Sequence, residues 1–187
     1  MKTIQAKKQA ASDIQKPAST PVAIATPVSI DDIASPPELV SRMIELADIK
    51  PDSYVLEPSA GEGALVLAML KLKPAAITAV EIDKDKAAKL GTLVRGEQVT
   101  VYPDNFLKLA LKQGDFERVV MHPPQTRNQD IDHVARAFMF LASGGILVAV
   151  MQANDRRTGM RAVLQQGPHE IVELEERDKV LVRIQKP

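Results

Sequence analysis

Hydrophobic and polar positions follow two periods along the chain, and these periods alternate from about residue 36 onward. Short, nearly continuous apolar runs predict buried strands at YVLE, AITAVEI, QVTVY, ERVVM and GGILVAVMQ. Apolar residues three and four apart predict helices at SPPELVSRMIELADIK, GALVLAMLKL, DKAAKLGTLV, FLKLALK and QDIDHVARAFMFL, with a further helical patch near DRRTGMRAVLQQ. Alternation of this kind predicts a parallel sheet with helices on both faces.

The last two apolar runs, HEIVELE and KVLVRIQ, follow one another without a helix between them. A tight turn at residues 176–178 would join them. Two strands in immediate succession predict an antiparallel edge on the otherwise parallel sheet. The expected fold class is therefore α/β.

Two of the predicted helices can be described in more detail, the first by its ends and the other by its apolar stripe. The first helix has Ser35 as a candidate cap, Pro36 and Pro37 in its first turn, and Pro51 as the residue that ends it. In the helix over 129–141 the predicted buried stripe is formed by Ile131, Val134, Phe138 and Leu141, with Asp132 and Arg136 as a surface ion pair. His133 in the same helix is expected to be solvated or packed rather than catalytic.

The first 35 residues differ in composition from the rest of the chain. They are rich in Ala, Ser, Thr, Pro and Lys without a sustained apolar period, which is typical of a flexible arm. Four lysines (Lys2, Lys7, Lys8 and Lys16) outnumber Asp13, so the arm could bind an acidic surface or a protein assembly. An arm without a partner is the simpler interpretation. We expect an arm over 1–35 and one domain over 36–187.

Composition narrows the possible partners and compartments. The chain has 24 Lys and Arg against 24 Asp and Glu, so bulk charge favours neither nucleic acid nor membrane. It has no Cys and its three His lack zinc-site spacing, so no metal site is expected. No apolar run approaches the roughly 20 residues of a membrane helix, and no signal segment is visible. These features lead us to expect a soluble, cytoplasmic protein without a membrane partner.

Acidic residues and glycines follow the first two predicted strands. EPSAGEG, residues 57–63, places Gly61 and Gly63 ahead of an apolar helix, where free N–H groups can bind a ligand. Glu57 would repel a phosphate there and favours a cationic or amine-bearing ligand. Glu81, at the end of the second strand, suits the two hydroxyls of a ribose. The alternative for Glu81 is a helix-capping cluster with Asp83 and Asp85.

Four stretches, LEPSAGEGALV, AVEID, DNFLKL and VVMHPPQTRNQDIDHVARAFMFLASGGILVAVM, resemble in order and spacing the motifs of class I S-adenosylmethionine-dependent methyltransferases. The likeness is strongest to the branch that methylates the exocyclic amine of adenine in nucleic acid. It covers residues 36–187 and is most specific at 54–63 and 119–151. The resemblance implies a Rossmann-like sheet of seven strands in the order 3-2-1-4-5-7-6, with S-adenosylmethionine as cofactor.

The resemblance also implies roles for particular residues. The turn formed by Glu57, Pro58, Ser59, Ala60, Gly61 and Gly63 would hold the amino-acid part of the cofactor. Glu81 would bind the ribose and Ile82 would lie against the adenine, while Asn105 and Phe106 would frame the purine. The family usually has Asp where this chain has Asn105. The amide oxygen of Asn105 can still accept a hydrogen bond, so this departure weakens the site without abolishing it.

The catalytic motif departs further from the family. The pattern of Asp or Asn, two prolines and an aromatic becomes His122, Pro123, Pro124 and Gln125 in this chain. A neutral His accepts through one ring nitrogen, and Gln has no ring to stack on an extruded base. Loss of both functions would slow transfer to the adenine amine by orders of magnitude. A different acceptor, with His122 as its base, would escape that penalty.

Two hypotheses for function follow. The first is an S-adenosylmethionine-dependent methyltransferase that acts on an adenine amine in nucleic acid through a remodelled acceptor site. Four arginines (Arg127, Arg156, Arg157 and Arg161) follow strands four and five and could contact a phosphate backbone or simply be solvated. In the resembling enzymes the segment before the last strand is longer and helps to cover the target base, whereas here it is a turn of a few residues. We also expect no separate target-recognition domain, so sequence-specific reading of DNA by this chain alone is not expected. The alternative is a catalytically degenerate fold that serves as a structural or interaction module, tethered by its arm.

Overall fold

The computed structural model describes residues 35–125, 129–153, 162, 164–174 and 178–187. Within these ranges the helices are α1 (Pro37–Ala47), α2 (Ala64–Leu70), α3 (Lys84–Leu93) and α4 (Gln129–Phe140). The strands are β1 (Tyr54–Glu57), β2 (Ala76–Val80), β3 (Val99–Tyr102), β4 (Phe116–Met121), β5 (Leu141–Gln152), β6 (His169–Glu173) and β7 (Lys179–Gln185). The predicted alternation of strands and helices is therefore confirmed over most of its length.

The seven strands form one sheet in the order β3-β2-β1-β4-β5-β7-β6. The pairs from β3 to β5 are parallel, and β7 pairs antiparallel with both β5 and β6. The predicted fold class, strand order and antiparallel edge are all confirmed. The order reverses between β1 and β4, and ligands of open α/β sheets bind beyond the strand ends at such a point.

Alternate residues of each central strand pack on opposite faces of the sheet. Leu56, Val119 and Leu147 belong to one core, which α4 covers with Val134 and Phe138. On the other face, α1, α2 and α3 cover a second core through their residues Val40, Met43, Leu65, Met69 and Leu90, which pack on Val55, Val120 and Val148 of the sheet. Because both faces are buried, the strands are nearly continuous in apolar residues, which made them recognisable in the sequence.

The segment FLKLALK does not form the predicted helix. It contains one short turn, and its leucines (Leu107, Leu109 and Leu111) are partly buried while Lys108, Ala110 and Lys112 are exposed. This alternation has a period of two, so extended chain suits it better than a helix. Arg136 donates hydrogen bonds to the carbonyl oxygens of Phe106 and Leu109 at 2.9 and 2.8 Å, which compensates for the missing helical bonds.

Those bonds also make the predicted surface pair between Asp132 and Arg136 wrong. The Arg136 guanidinium points to the carbonyls and lies 5.8 Å from the centre of the Phe106 ring and 5.3 Å from that of Phe140. Of the stripe predicted for this helix, Val134 and Phe138 are buried and Ile131 is only partly so, while Leu141 is buried but begins β5. The helix thus packs as expected on its apolar side and binds the preceding loop on its polar side.

The ends of α1 differ from expectation. Its N-cap is Pro36 without a side-chain hydrogen bond, so Ser35 does not cap it. The helix ends at Ala47, before Pro51, because Asp48 adopts a left-handed conformation with φ 50°. Arg118 of β4 donates to the carbonyl oxygen of Asp48 and Arg183 of β7 donates to that of Leu46, at 3.0 and 3.2 Å. Two strands therefore anchor the C-terminal end of α1 on the sheet.

Several predictions fall outside the described residues. They concern residues 1–34 of the arm, most of the helical patch near DRRTGMRAVLQQ, most of the turn at 176–178, and the four arginines Arg127, Arg156, Arg157 and Arg161. In the described ranges no helix has the length and apolar character needed to cross a membrane. Nor do those ranges contain a group of three or more His, Cys, Asp or Glu placed to hold a metal ion.

Candidate active site

Three neighbouring strands bring their C-terminal residues to one edge of the sheet. Glu57 ends β1, Glu81 directly follows β2, and His122 directly follows β4. The strands lie in the order β2-β1-β4, so the reversal of strand order falls among these residues. The backbone N–H of Ala60 donates to the carbonyl oxygen of Val80 at 2.9 Å, which holds the loop after β1 against the end of β2.

The carboxyl group of Glu57 is buried and only half satisfied. The residue is 1% exposed, and its Oε1 accepts a hydrogen bond from the Ser59 N–H at 3.1 Å. Its Oε2 is buried without a partner. Burial raises the pKa of Glu57 well above its ordinary value, with a smaller contribution from the charge of Glu81, against the opposing effect of the Ser59 N–H. A positively charged donor at Oε2 would satisfy this group.

Two further buried polar atoms without partners lie beside Glu57. They are the hydroxyl of Ser59 and the side-chain nitrogen Nε2 of Gln125. All three residues line a cavity of about 320 Å³, together with Ser35, Ala60, Gly61, Glu62, Ala64, Leu65, His122, Pro123 and Pro124. We refer to it as the first cavity. Buried polar groups in proteins are normally hydrogen-bonded, so three unpaired ones in residues that line one cavity indicate a place for a polar ligand.

The two glycines of the loop serve different purposes. Gly61 has φ +55°, and a Cβ there would meet nothing within 4 Å, so the residue leaves open space in the first cavity. Gly63 has φ +96°, and a Cβ there would lie 2.5 Å from a methyl carbon of Leu90. Gly61 therefore permits the approach of a ligand, whereas Gly63 permits the close packing of α2 against α3.

Glu81 is tied to the loop as well as to its own strand end. Its Oε2 accepts from the Gly61 N–H at 2.7 Å and its Oε1 accepts from the Asp83 N–H at 2.8 Å. The cap of α3 is Asp83 alone, which accepts from the N–H groups of Asp85 and Lys86. The capping cluster considered from the sequence is thus not formed by Glu81. Its carboxylate oxygens keep further lone pairs for hydroxyl donors.

A second cavity of about 360 Å³ adjoins the first and shares Ser59, His122 and Pro124 with it. Its other lining residues are Pro58, Glu81, Ile82, Asp104, Asn105, Phe106, Leu107, Gln129 and His133. Ile82 is 66% exposed, which leaves an apolar side chain open at the cavity wall, and Phe106 is buried. The Oδ1 of Asn105 already accepts from the Leu107 N–H at 2.9 Å.

The HPPQ segment contributes to the walls of both cavities. His122 is half-buried and lines both, with its Nδ1 3.4 Å from the hydroxyl of Ser35. Pro123 is buried and Pro124 is exposed. Of the two cavities, Gln125 lines only the first. The structure therefore brings every proposed site residue except Gly63 to the walls of two cavities that share lining residues.

Sequence reasoning did not assign two buried polar residues of α4 to the site, since Asp130 was not considered and His133 was expected only to be solvated or packed. Asp130, 1% exposed, accepts from the Gln152 N–H at 3.1 Å and so joins the start of α4 to the end of β5. His133 is 7% exposed and lines the second cavity. The available signal was helical spacing, because His133 lies three residues after Asp130 and one before Val134, on the side of α4 that faces the sheet.

The arrangement suits a ligand with a cationic amine at one end and a nucleoside at the other. An amine can reach the unpaired atoms beside Gly61 in the first cavity. Ribose hydroxyls can reach Glu81, and a flat ring can lie against Ile82 in the second cavity. The described lining residues include four acidic side chains (Glu57, Glu62, Glu81 and Asp104) and no Lys or Arg, so the two cavities are unsuited to a phosphate.

Comparisons with known proteins agree with this fold. Ribosomal RNA small subunit methyltransferase A of Corynebacterium efficiens is 36% identical over 86 residues, which cover 43% of this chain and only 29% of that protein. The tRNA (m1A58) methyltransferase of Aquifex aeolicus has a TM-score of 0.67 at 14% identity, covering 81% of this chain and 69% of that one. No family model matches the chain.

Two further solved structures with a similar fold are methyltransferases that act on other atoms. A SAM-dependent O-methyltransferase of Thermotoga maritima has a TM-score of 0.69 at 15% identity, over 86% of this chain and 71% of that one. Geranyl diphosphate C-methyltransferase of Streptomyces coelicolor, solved with S-adenosyl-L-homocysteine, gives 0.68 at 14% identity, over 80% and 76%. The chain has the class I methyltransferase fold. Identities this low establish the fold alone.

Proposed function

We propose that this protein binds S-adenosylmethionine and transfers its methyl group to an exocyclic amine of adenine in nucleic acid, through a remodelled acceptor site. The observation that carries the proposal is the buried, unpaired Oε2 of Glu57 beside the open space at Gly61. A buried carboxylate oxygen without a donor is costly, and a bound ammonium group would relieve that cost. The named likeness to a ribosomal RNA methyltransferase supports the nucleic-acid acceptor.

The cofactor would span both cavities. Its amino-acid part would be held by Glu57, Ser59 and the loop backbone up to Gly61, and its ribose by Glu81. Its adenine would lie between Ile82 and the wall formed by Asn105 and Phe106. When bound, the cofactor supplies an activated methyl group on a sulfonium. The protein would contribute alignment and the exclusion of water, and no metal is needed for this chemistry.

The acceptor side is formed by His122 and the residues that follow it. The Nδ1 of His122 lies 3.4 Å from the Ser35 hydroxyl, so contact with Ser35 can fix the orientation of the ring. A neutral ring can accept one hydrogen bond from an incoming amine or take its proton. Gln125 supplies an amide in place of a stacking ring, so the acceptor base would be held by hydrogen bonds more than by stacking.

Contact with nucleic acid would depend on a local group of positive side chains, because the chain as a whole has no net charge. We propose Arg127, Arg156, Arg157 and Arg161 as the residues that contact the phosphate backbone, at the rim after the fourth and fifth strands. The arm over 1–35 is proposed to bind a protein assembly, and 36–187 to be the catalytic domain. The proposed location is the cytoplasm.

A degenerate scaffold is the second candidate. Both carboxylate oxygens of Glu81 already accept backbone N–H groups, from Gly61 and Asp83, so the loop is held without a ligand. Gln125 also replaces the aromatic side chain of the resembling family. A protein that kept the fold only as an interaction module would retain such internal bonds and lose affinity for the cofactor.

Calorimetric titration with S-adenosylmethionine and S-adenosylhomocysteine separates the two candidates. The enzyme proposal expects saturable binding, and absence of binding at millimolar ligand would leave only the scaffold. If the cofactor binds, methyl transfer to adenine-containing RNA and DNA should rise in the double variant His122→Asn with Gln125→Phe. Gln125→Leu is the matched control, because it changes the same position without adding a ring. No gain from the double variant would contradict the remodelled acceptor site.

A further inference from the structure

The side chain of His133 has one ring nitrogen engaged and one available. Its Nδ1 lies 2.8 Å from the carbonyl oxygen of Gln129, one helical turn earlier. Because a carbonyl oxygen can only accept, Nδ1 must carry the proton and donate it. In the neutral ring the other nitrogen, Nε2, then has an open lone pair. No described residue forms a hydrogen bond with Nε2.

This available acceptor belongs to the second cavity. His133 is 7% exposed and lines that cavity, and its ring centre lies 5.7 Å from that of Phe106. The contact with Phe106 and the bond to Gln129 fix the ring from two sides. A fixed acceptor in the cavity wall discriminates between ligand groups, because an acceptor placed opposite it would be left unpaired.

The other candidate acceptor in the same place already accepts one hydrogen bond from the backbone, which leaves it one further lone pair. The resemblance assigns the adenine amine to Asn105, yet the Oδ1 of Asn105 accepts from the Leu107 N–H at 2.9 Å. Burial also lowers the pKa of His133, against the raising effects of the Gln129 carbonyl and of Asp132 and Asp130. The ring is therefore kept neutral, and its Nε2 remains an acceptor, at neutral pH.

We propose that Nε2 of His133 accepts a hydrogen bond from the exocyclic amine of the adenine in the bound cofactor, and that His133 sets the preference for adenine over hypoxanthine at this position. The inference rests on the proposed function, in that the nucleoside must occupy the second cavity. Hypoxanthine carries a carbonyl oxygen where adenine carries the amine, so it would place an acceptor against an acceptor.

The test measures affinity for S-adenosylhomocysteine and for its deaminated analogue S-inosylhomocysteine by calorimetry. The wild-type protein should prefer the adenine form. His133→Phe keeps an aromatic ring against Phe106 and removes the acceptor, so it should lose about tenfold in affinity for S-adenosylhomocysteine and little for the analogue. His133→Gln is the matched control, because its amide oxygen can still accept and should retain most of the preference.

An undiminished preference in His133→Phe would overturn the inference while leaving cofactor binding intact. Absence of wild-type binding to either ligand would instead overturn the proposed function, and the inference with it, so the two failures are distinguishable. If a variant does not fold, a measurement on the wild-type protein still tests the inference. The ¹⁵N resonance of Nε2 should move on addition of S-adenosylhomocysteine and not on addition of the analogue, and an unmoved resonance would contradict the contact.

Discussion

The carboxyl group of Glu57 lies where a carboxylate is least stable, in a buried position with one oxygen unpaired. Substitutions of ordinary structural residues destabilise a protein, but removal of an unpaired buried charge should do the reverse. A group that costs stability in the free protein and gains a partner from a ligand is typical of a binding site. Glu57 thus offers a test that does not depend on activity.

Glu57→Gln should stabilise the ligand-free protein, and the gain should grow with pH. The folded pKa of Glu57 lies above its ordinary value of 4.5, so from pH 4.5 upward the folded state binds more protons than the unfolded state. Wild-type stability is therefore lost as the pH rises through this window, and the Gln variant avoids the loss. Thermal unfolding between pH 4 and about 8 measures the difference.

Glu62→Gln is the control for that series, because Glu62 is exposed in the same loop. It should show no comparable gain. In the same experiments Glu57→Gln should weaken S-adenosylmethionine binding by about 10- to 100-fold, the effect of losing one charge-assisted hydrogen bond. A variant that is less stable than wild type at every pH would contradict the assignment of Glu57 as an unpaired buried acid.

Proton release on binding is a second consequence of the raised pKa of Glu57. An ammonium group at Oε2 favours the carboxylate, so binding should lower the pKa of Glu57 and release a fraction of a proton. The apparent binding enthalpy should then depend on the ionisation enthalpy of the buffer. Glu57→Gln should show little of this dependence, and equal enthalpies in all buffers for the wild type would argue against the contact.

For the loop between β1 and α2, an effect on ligand binding can be distinguished from the general cost of backbone strain. Gly61 and Gly96 have φ +55° and +88°, and a Cβ at either position meets nothing within 4 Å. Alanine at each should cost roughly 1–2 kcal/mol of stability, because both positions are left-handed. Only Gly61 lines the first cavity, so only Gly61→Ala should also weaken cofactor binding. Equal affinities in both variants would remove Gly61 from the site.

Elements whose packing follows from their own period were predictable from the sequence. The seven strands follow from continuous apolar runs, whereas their order in the sheet was implied by the family resemblance. The acidic residues at the ends of β1 and β2 follow from the parallel arrangement. Elements that depend on a distant partner were not predictable. FLKLALK is not helical, and the distant Arg136 satisfies its Phe106 and Leu109 carbonyls, while α1 ends at Ala47 because Asp48 turns there.

The same distinction holds within the site. Glu57, Gly61 and Glu81 could be placed from their positions at the ends of strands, and Ile82 from the family resemblance. The engagement of the Asn105 oxygen and the tautomer of His133 could not, since both depend on backbone groups that only the fold brings near. The departure of HPPQ from the family pattern was visible, but its meaning depends on Ser35, which the fold places beside His122.

For the protein as a whole, the enzyme and the scaffold are expected to differ in how much the ligand raises the unfolding temperature. A ligand that binds only the folded state adds about 2.7 kcal/mol of stability at one hundred times its Kd. For a domain of about 150–250 residues this corresponds to a rise of roughly 5–10 °C in the unfolding temperature. S-Adenosylhomocysteine should raise that temperature for the wild-type protein and much less for Glu57→Gln at the same concentration.

The difference in unfolding temperature between the wild type and Glu57→Gln should change sign when ligand is added. Glu57→Gln should unfold at a higher temperature without ligand and at a lower temperature than the wild type with saturating ligand, so the order of stability should invert. A general stabilising substitution would raise both temperatures, and a damaged fold would lower both. A scaffold that has lost the cofactor site would show no rise for either protein, so one titration followed by thermal unfolding separates enzyme, scaffold and misfolded variant.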